Sequence, residues 1–216
     1  MKAGIIGSGS VGQALGAGFA DSGYEVMIGT REPKSEKIQS WVSKTGKGVK
    51  AGTFADTAKF GEIIVFCPLF RAAEDIIKLA GKENFKGKIV IDTTNPIADV
   101  PPKDGVITFT TGNRESAGEL IQQWLPDSRV VKAFNSAGNA FMYKPHFEEG
   151  TPTMFICGND DDAKKKVTEI LTAFGWDTLD CGSIAASNAL EGLCTIWCAR
   201  GFKTGKWDHA FKLLTK

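Results

Sequence analysis

The stretch "KAGIIGSGSVGQALG", Lys2 to Gly16, decides the fold. "KAGII" (2–6) is an apolar run of strand length. "GSGSVG" (7–12) interrupts it with glycines in the pattern GxGxxG. "SVGQALGAGFADSG" (10–23) then places Val11, Ala14, Leu15, Gly18 and Phe19 at helical spacing. A GxGxxG pattern alone is weak, but between a strand and a helix it has the context of a phosphate-binding turn. There Gly7 makes the tight turn, Gly9 lets the backbone approach a pyrophosphate, and Gly12 lets the helix pack on the strand. Ser8, Ser10 and Val11 share that turn. The helix N-terminus behind them offers unpaired N–H groups and a partial positive charge.

Downstream, short β-type runs alternate with helical patterns. "YEVMI" (24–28), "GVKAG" (48–52), "EIIVFC" (62–67), "KIVIDTT" (88–94) and "RVVKAF" (129–134) read as strands. Between them, "SEKIQSWVSKT" repeats Ile38, Trp41 and Val42 at helical spacing, and "TFADTAKF" is a short helix. "RAAEDIIKLAG" ends on Gly81, and "RESAGELIQQWL" (114–125) carries Ala117, Leu120, Ile121 and Trp124 in register. Strand–helix alternation with continuously apolar strands predicts a parallel sheet covered on both faces. The fold class is therefore α/β: a Rossmann-type, doubly wound, mostly parallel sheet. Residues 1–150 read as the dinucleotide-binding domain. Residues 151–216 read as an extension packed in the same unit. In it, "TPTMFICG" is a strand, "DDDAKKKVTEILTAFG" a helix, "WDTLDC" a strand and "SIAASNALEGLCTIWCARGF" a long last helix. The segment "NPIADVPPKDG" (95–105) is the one Pro-rich insertion.

Bulk properties exclude several classes. The net charge of +1 gives no reason to expect nucleic acid or an acidic membrane as partner. No apolar run approaches the roughly 18 residues of a bilayer span. "MKAGIIGSGS" turns glycine-rich where a secretory leader would stay apolar, so a cytoplasmic location is expected. Five cysteines without CxxC pairs fit a reducing compartment, and two distant histidines, His146 and His209, build no zinc site.

The second strand's tip reads "MIGTREP" (27–33). About 20 residues past such a glycine loop, an acid would bind the ribose 2′-OH of NAD. Thr30 and Arg31 stand there instead. A carboxylate repels a 2′-phosphate, whereas a hydroxyl and an arginine fork bind one, which points to NADP(H). Lys34 and Ser35 follow as further contacts, and Glu32 is expected to face outward.

Ligands of such sheets lie outside the carboxyl ends of the strands. Those ends are "FCPLF" (66–70), "TTNP" (93–96) and "AFNSAGN" (133–139). Cys67, Pro68, Leu69 and Phe70 are expected along the dinucleotide. Asn95, Pro96, Ala133 and Asn135 are expected near the ribose or carboxamide. Proton-transfer residues are scarce: no histidine falls in these loops, Lys132 sits within a strand, and Lys144 reads as a surface residue. Cys67 fits burial as well as reactivity, and Cys194 and Cys198, one helical turn apart, fit core packing better than a metal. No metal site and no catalytic residue can be named. Reduction of a ketone or imine needs a proton donor beside the hydride acceptor. Hydride transfer to a flavin-like ring needs mainly stacking and orientation.

Together "GSGSVGQALG", "GTREP", the "CP" after the fourth strand, "RESAGELIQQWLP", "VVKAFNSAG", "FICGNDDDAKKKV" and "LDCGSIAASNALEGL" resemble the NADP oxidoreductases dependent on coenzyme F420, a deazaflavin. The cytosolic reductase domain of the six-transmembrane metalloreductases is similar. The resemblance covers nearly the whole chain. It implies hydride exchange between NADP(H) and a flavin or deazaflavin: FMN, FAD or coenzyme F420. The acceptor would lie against Ser136 and Ala137 and against Asn188, Leu190 and Leu193 of the last helix. The archaeal enzymes tend to carry a histidine where this chain has "KAFNSAG", and the "FN" version looks more like the metalloreductase type. The alternatives are an NADPH-dependent reductase of a small carbonyl or imine, and a non-catalytic NADPH-binding redox sensor. The apolar last helix also predicts a homodimer formed through it.

Overall fold

The computed structural model describes residues 1–112 and 115–215. Asn113, Arg114 and Lys216 lie outside the described residues, so the expected helix start at Arg114 does too. Eight strands form one sheet: β1 (Lys2–Ile6), β2 (Glu25–Gly29), β3 (Val49–Gly52), β4 (Ile63–Phe66), β5 (Ile89–Asp92), β6 (Arg129–Lys132), β7 (Thr153–Gly158) and β8 (Asp177–Asp180), in the order β3-β2-β1-β4-β5-β6-β7-β8. The helices are α1 (Ser10–Asp21), α2 (Glu36–Thr45), α3 (Phe54–Phe60), α4 (Ala73–Ala80), α5 (Ala117–Trp124), α6 (Asp161–Ala173) and α7 (Ser187–Thr204). Strands β1 to β6 are parallel. β7 runs antiparallel to β6, with Val131 opposite Gly158, and β8 is parallel to β7.

The central strands are buried on both faces, as parallel strands must be when helices cover each side. Alternation along a strand divides them between two cores. Ile63, Val65, Ile89 and Ile91 meet Leu15, Phe19 and Phe174 on one face. Ile64, Phe66 and Val90 meet Ile77, Phe85 and Ile121 on the other. The buried face of α1 is largely the expected one: Leu15, Gly18 and Phe19 are buried and Val11 packs half-buried against the core, while Gly12 and Gly16 are buried as well and Ala14 is only half-buried. A Cβ on Gly18 would stand 2.8 Å from the ring of Tyr143, so the helix packs too closely there for a larger residue. In α5, Ala117, Gly118 and Ile121 are buried, while Leu120 and Trp124 are half-buried.

The insertion after β5 folds on itself. Ile97 bridges Phe109 and Lys103 bridges Val106, around Asp104 and Gly105, both at positive φ. An Asp-Gly pair at a tight reversal is the ordinary chemistry of a hairpin turn. After α7 the chain returns to the sheet: Thr153 N–H donates to the Phe211 carbonyl at 2.8 Å, and Trp197 Nε1 donates to the His209 carbonyl at 2.9 Å. Among the described residues no helix is long and apolar enough to cross a membrane.

Candidate functional site

Strand order reverses between β1 and β4, and the loops leaving these two strands meet there. The three glycines of the first loop differ in what constrains them. Gly7 has φ 125°, and a Cβ on it would lie 2.8 Å from the Cys67 carbonyl. A Cβ on Gly12 would lie 2.0 Å from the Gly7 carbonyl oxygen. A Cβ on Gly9 would meet nothing within 4 Å. Packing within the protein therefore requires the first two, while the third faces open space that a close-approaching ligand can use. The first bond of α1 runs from Gln13 N–H to the Gly9 carbonyl at 2.9 Å, which leaves the N–H groups of Ser10, Val11 and Gly12 without intrahelical partners. Neither a side-chain cap nor an acid in the first turn neutralises this terminus, whereas α3, α5 and α6 have both. Gln13 Nε2 braces the loop by donating to the Ser8 carbonyl at 3.0 Å.

Two connected hollows open from this loop. The larger, about 740 Å³, runs from Thr30 and Arg31 past the glycine loop to Phe70 and Asn95. The smaller, about 460 Å³, is bounded by Ser8, Thr30, Arg31, Ser35 and Lys37. Arg31 is exposed, and among the described residues no carboxylate lies within ion-pair distance of it. Thr30 is buried and anchored by its N–H to the Gly52 carbonyl at 3.1 Å. Ser35 caps α2 by position, but its hydroxyl makes no capping bond. This corner can hold a phosphate, with an unpaired guanidinium, three hydroxyl residues and Lys37 around it, although Glu32 shares the lining. Glu32 is exposed but does not face away as expected: it lies on the lining of the smaller hollow and of the neighbouring groove, and its N–H reaches the Thr30 hydroxyl at 3.4 Å.

The larger hollow is walled mainly by apolar and hydroxyl groups. Cys67 is its thiol, donating toward the Ile6 carbonyl at 3.3 Å, and burial pushes its pKa up to about 12. A thiol held so far from ionisation is a poor nucleophile. Thr94 lies on the wall with a buried hydroxyl that has no partner in the protein. Buried polar groups are nearly always satisfied, so this one is poised for a ligand. Cys194 and Cys198 are adjacent, with their sulfurs 3.9 Å apart, and among the described residues no metal-binding cluster forms.

Behind this wall lies a charged cluster that the sequence does not announce. Lys132, the last residue of β6, is wholly buried. Its Nζ meets Asp92 Oδ2 at 2.8 Å, Glu191 Oε1 at 2.9 Å and the Thr94 carbonyl at 2.7 Å. Glu191 in turn accepts from Ala117 N–H and Gly118 N–H, both at 3.1 Å, and so caps α5 from α7. Asp92 Oδ1 accepts from Thr94 N–H at 2.8 Å. Burial opposes the lysine's charge, but the two carboxylates outweigh it and hold its pKa above the ordinary value. Glu191 is pushed above the usual carboxylate range by burial, against the pull of Lys132. Lys132 does sit within a strand, as expected, but the sequence did not show that it is buried and paired: its strand ends beneath the cleft, and β5 with the residue pair after it and α7 supply its partners. Lys144 is exposed and pairs with Asp21 at 2.8 Å.

Of the residues singled out from sequence, Gly7 to Val11, Thr30, Arg31, Cys67 to Phe70 and Asn95 line the larger hollow. Lys34 does not; it lines a separate groove with Gln39 and Thr53, and Lys37 takes the place beside Arg31. Pro96 and Ala133 are buried behind the wall. Asn135 is a clamp: its Nδ2 donates to Asn95 Oδ1 at 3.1 Å and to the Leu190 carbonyl at 2.8 Å, while Asn95 Nδ2 donates back to the Asn135 carbonyl at 2.8 Å. Ser136, Ala137, Asn188, Leu190 and Leu193 lie outside the lining of the hollow. Sequence reading missed Thr94, Arg71, Ile97 and Asp99 on its wall. The "TT" and "IAD" flanking the expected "NP" were the available signal.

Comparison with known proteins agrees with this geometry. The sequence profile of the family described as "NADP oxidoreductase coenzyme F420-dependent" matches residues 2–96. A crystal structure assigned as an F420-dependent NADP reductase, from Arthrobacter sp. FB24, is 31% identical, covers 100% of both chains and superposes with a TM-score of 0.92. The F420-dependent NADP reductase of Methanocaldococcus jannaschii is 28% identical over 89% of each chain. Metalloreductase STEAP3 of Rattus norvegicus is 28% identical over 89% of this chain, which spans only 36% of that protein's length. A full-length match of this closeness, on a sheet with this glycine loop and strand order, shows that the chain is an NADP-dependent oxidoreductase belonging to the coenzyme F420-dependent NADP oxidoreductase family.

Proposed function

We propose that this protein passes hydride between NADP(H) and a flavin or deazaflavin ring, with coenzyme F420, FMN and FAD as the candidate acceptors. The observation that carries this reading is the make-up of the cleft. It has an unneutralised helix N-terminus at the glycine loop and an unpaired arginine at the β2 tip, and its apolar wall carries no histidine and no lysine. In this reading the α1 N–H groups hold the pyrophosphate across Gly9. Thr30, Arg31, Ser35 and Lys37 hold the 2′-phosphate. Pro68, Leu69 and Phe70 lie along the nicotinamide half, and the Thr94 hydroxyl and the Asn95 side chain orient it.

Bound NADP(H) supplies or accepts the hydride with its electron pair. No side chain of the wall is suited to deliver the accompanying proton, since the Cys67 thiol is held far from ionisation. A ring acceptor tolerates this, because its nitrogen can take a proton from solvent. A ketone would demand an acid at the reacting oxygen. Leu69 and Ile97, both on the lining, would hold an acceptor ring next to the nicotinamide. Ala137, Asn188 and Leu193 would bound it from outside the lining, and buried Ser136 and Leu190 would support it from behind, Leu190 through the carbonyl that fixes Asn135. A deazaflavin arm follows from the family. The test is an acceptor screen that follows reduced-nicotinamide absorbance with FMN, FAD, a deazaflavin, ferric chelates and small carbonyls or imines. Turnover with a ring acceptor is expected. Turnover with carbonyls or imines alone would replace this reading with a carbonyl or imine reductase. Tight NADPH binding with no turnover on any acceptor would make the protein a sensor.

A further inference from the structure

Arg71 is the cation of the cleft without a task in the reading above. It lines the larger hollow just before α4, and its Nη1 lies 2.6 Å from Oδ2 of Asp99, which lines the same hollow from the insertion after β5. Arg31 and Arg71 are the cations on that lining, and Asp99 is its carboxylate. The sheet order separates the two arginines. Arg31 follows β2 and Arg71 follows β4, with the glycine loop of β1 between them. Arg71 therefore lies on the side away from the 2′-phosphate corner, next to Leu69, Phe70 and Ile97.

We propose that Arg71 recognises a phosphate carried by the ring acceptor, and that Asp99 is a placeholder which that phosphate displaces. The inference rests on the reading of the cleft as a site for NADP(H) and a flavin-type ring, and it identifies the acceptor as an anionic, phosphate-bearing one. The chemistry is an exchange of anions on one guanidinium. A phosphate offers more acceptor oxygens and more charge than a carboxylate, and arginine binds it with the same planar fork. The pair is easily opened. The Arg71 and Asp99 side chains are 53% and 81% exposed, and an ion pair so solvated is weak. The backbone need not move, because the insertion is held by its own bonds, Ala98 N–H to the Thr108 carbonyl at 2.7 Å among them. Rotation of one exposed side chain frees the site.

FMN and riboflavin share one ring and differ by one phosphate, so they test the assignment directly. Their dissociation constants are read from quenching of flavin fluorescence at saturating NADP+, and their KM values from NADPH oxidation, for wild type, Arg71→Ala, Asp99→Asn and the double variant. Both positions are exposed, so the variants should fold. FMN should bind wild type about tenfold more tightly than riboflavin, and Arg71→Ala should abolish that difference while riboflavin and NADPH affinities stay within about twofold. Asp99→Asn should tighten FMN about two- to fivefold and leave riboflavin alone, and the gain should vanish when Arg71→Ala is added. Equal binding of the two flavins by wild type overturns the inference and leaves the proposed function standing. So does an Arg71→Ala variant that weakens NADPH while keeping the flavin ratio, since Arg71 would then serve the dinucleotide. Failure of both flavins to bind overturns this inference and removes flavins from the proposed acceptors, leaving the deazaflavin to the acceptor screen.

Discussion

The ammonium of Lys132 stands 2.9 Å from the carboxylate of Glu191, with neither group open to solvent. This contact joins the end of β6 to α7, and through the Glu191 bonds to Ala117 and Gly118 it also joins both to α5. The Thr94 carbonyl completes the lysine's coordination, so the cleft wall hangs on the same cluster. Breaking a buried pair by removing one partner leaves an uncompensated charge and costs about 3–5 kcal/mol. Lys132→Met should lose that much in urea unfolding, and adding Glu191→Gln should recover part of it, because one stranded carboxylate is then neutral. Purely additive losses would show that the pair is energetically uncoupled.

The cluster also gives stability a pH signature. The folded pKa of Lys132 is raised, so its contribution is fully present below the ordinary lysine value of about 10.4 and disappears as pH rises through the folded value. Glu191 is raised as well, chiefly by burial, so its contribution is fully present below about 4.3 and disappears as pH rises through its folded value. Unfolding midpoints measured above about pH 10 should fall more steeply for wild type than for Lys132→Met. Towards acid pH, Glu191→Gln should lose an advantage that wild type gains.

Two glycines of the phosphate loop should respond oppositely. Gly12→Ala would press a methyl group against the Gly7 carbonyl and should lower Tm markedly. Gly9→Val meets open space and has an ordinary extended backbone, φ −73° and ψ −175°, so its Tm should hardly change. Its NADPH affinity should nevertheless fall by about a hundredfold or more, because the side chain fills the pyrophosphate's place. Calorimetry and NADPH titration on the two variants separate packing from ligand space.

Arg31→Ala should weaken NADPH about ten- to a hundredfold and leave NADH nearly unchanged, the span expected for one charge-assisted contact of about 1.5–3 kcal/mol. Lys37→Ala should act in the same direction but less, since an exposed ammonium is a weaker partner. Thr30→Asp should shift preference toward NADH by repelling the 2′-phosphate. Equal losses for both dinucleotides in Arg31→Ala would move Arg31 from phosphate recognition to adenine stacking.

Assembly is predicted from the apolar groups left on and after α7. Ile196 is 59% exposed and Leu214 82%, and Phe202 is exposed as well. Light scattering at low micromolar concentration should report a dimer, and Ile196→Asp should shift it toward monomer. A wild-type monomer would leave this face unexplained.

The sequence by itself determined the strand–loop–helix opening, the alternation that makes a parallel sheet, and the Thr30–Arg31 pair at the β2 tip. Each of these is local: a period, a glycine spacing or a residue type read within one element. The Asp104–Gly105 turn was equally local and went unread. Tertiary structure alone decided which lysines matter. Lys34 lies in the turn before α2 and Lys37 in its first turn, and only the path of that segment puts Lys37 beside Arg31 and Lys34 in a separate groove. Lys132, Asp92 and Glu191 belong to β6, β5 and α7, and nothing in the spacing of three ordinary charged residues marks them as partners. They meet because β5 and β6 are paired in register, with Asp92 opposite Lys132, and because α7 returns over that end of the sheet. A buried charge is tolerated only where the fold brings its counter-charges within hydrogen-bond reach, and that reach is a property of packing between distant segments.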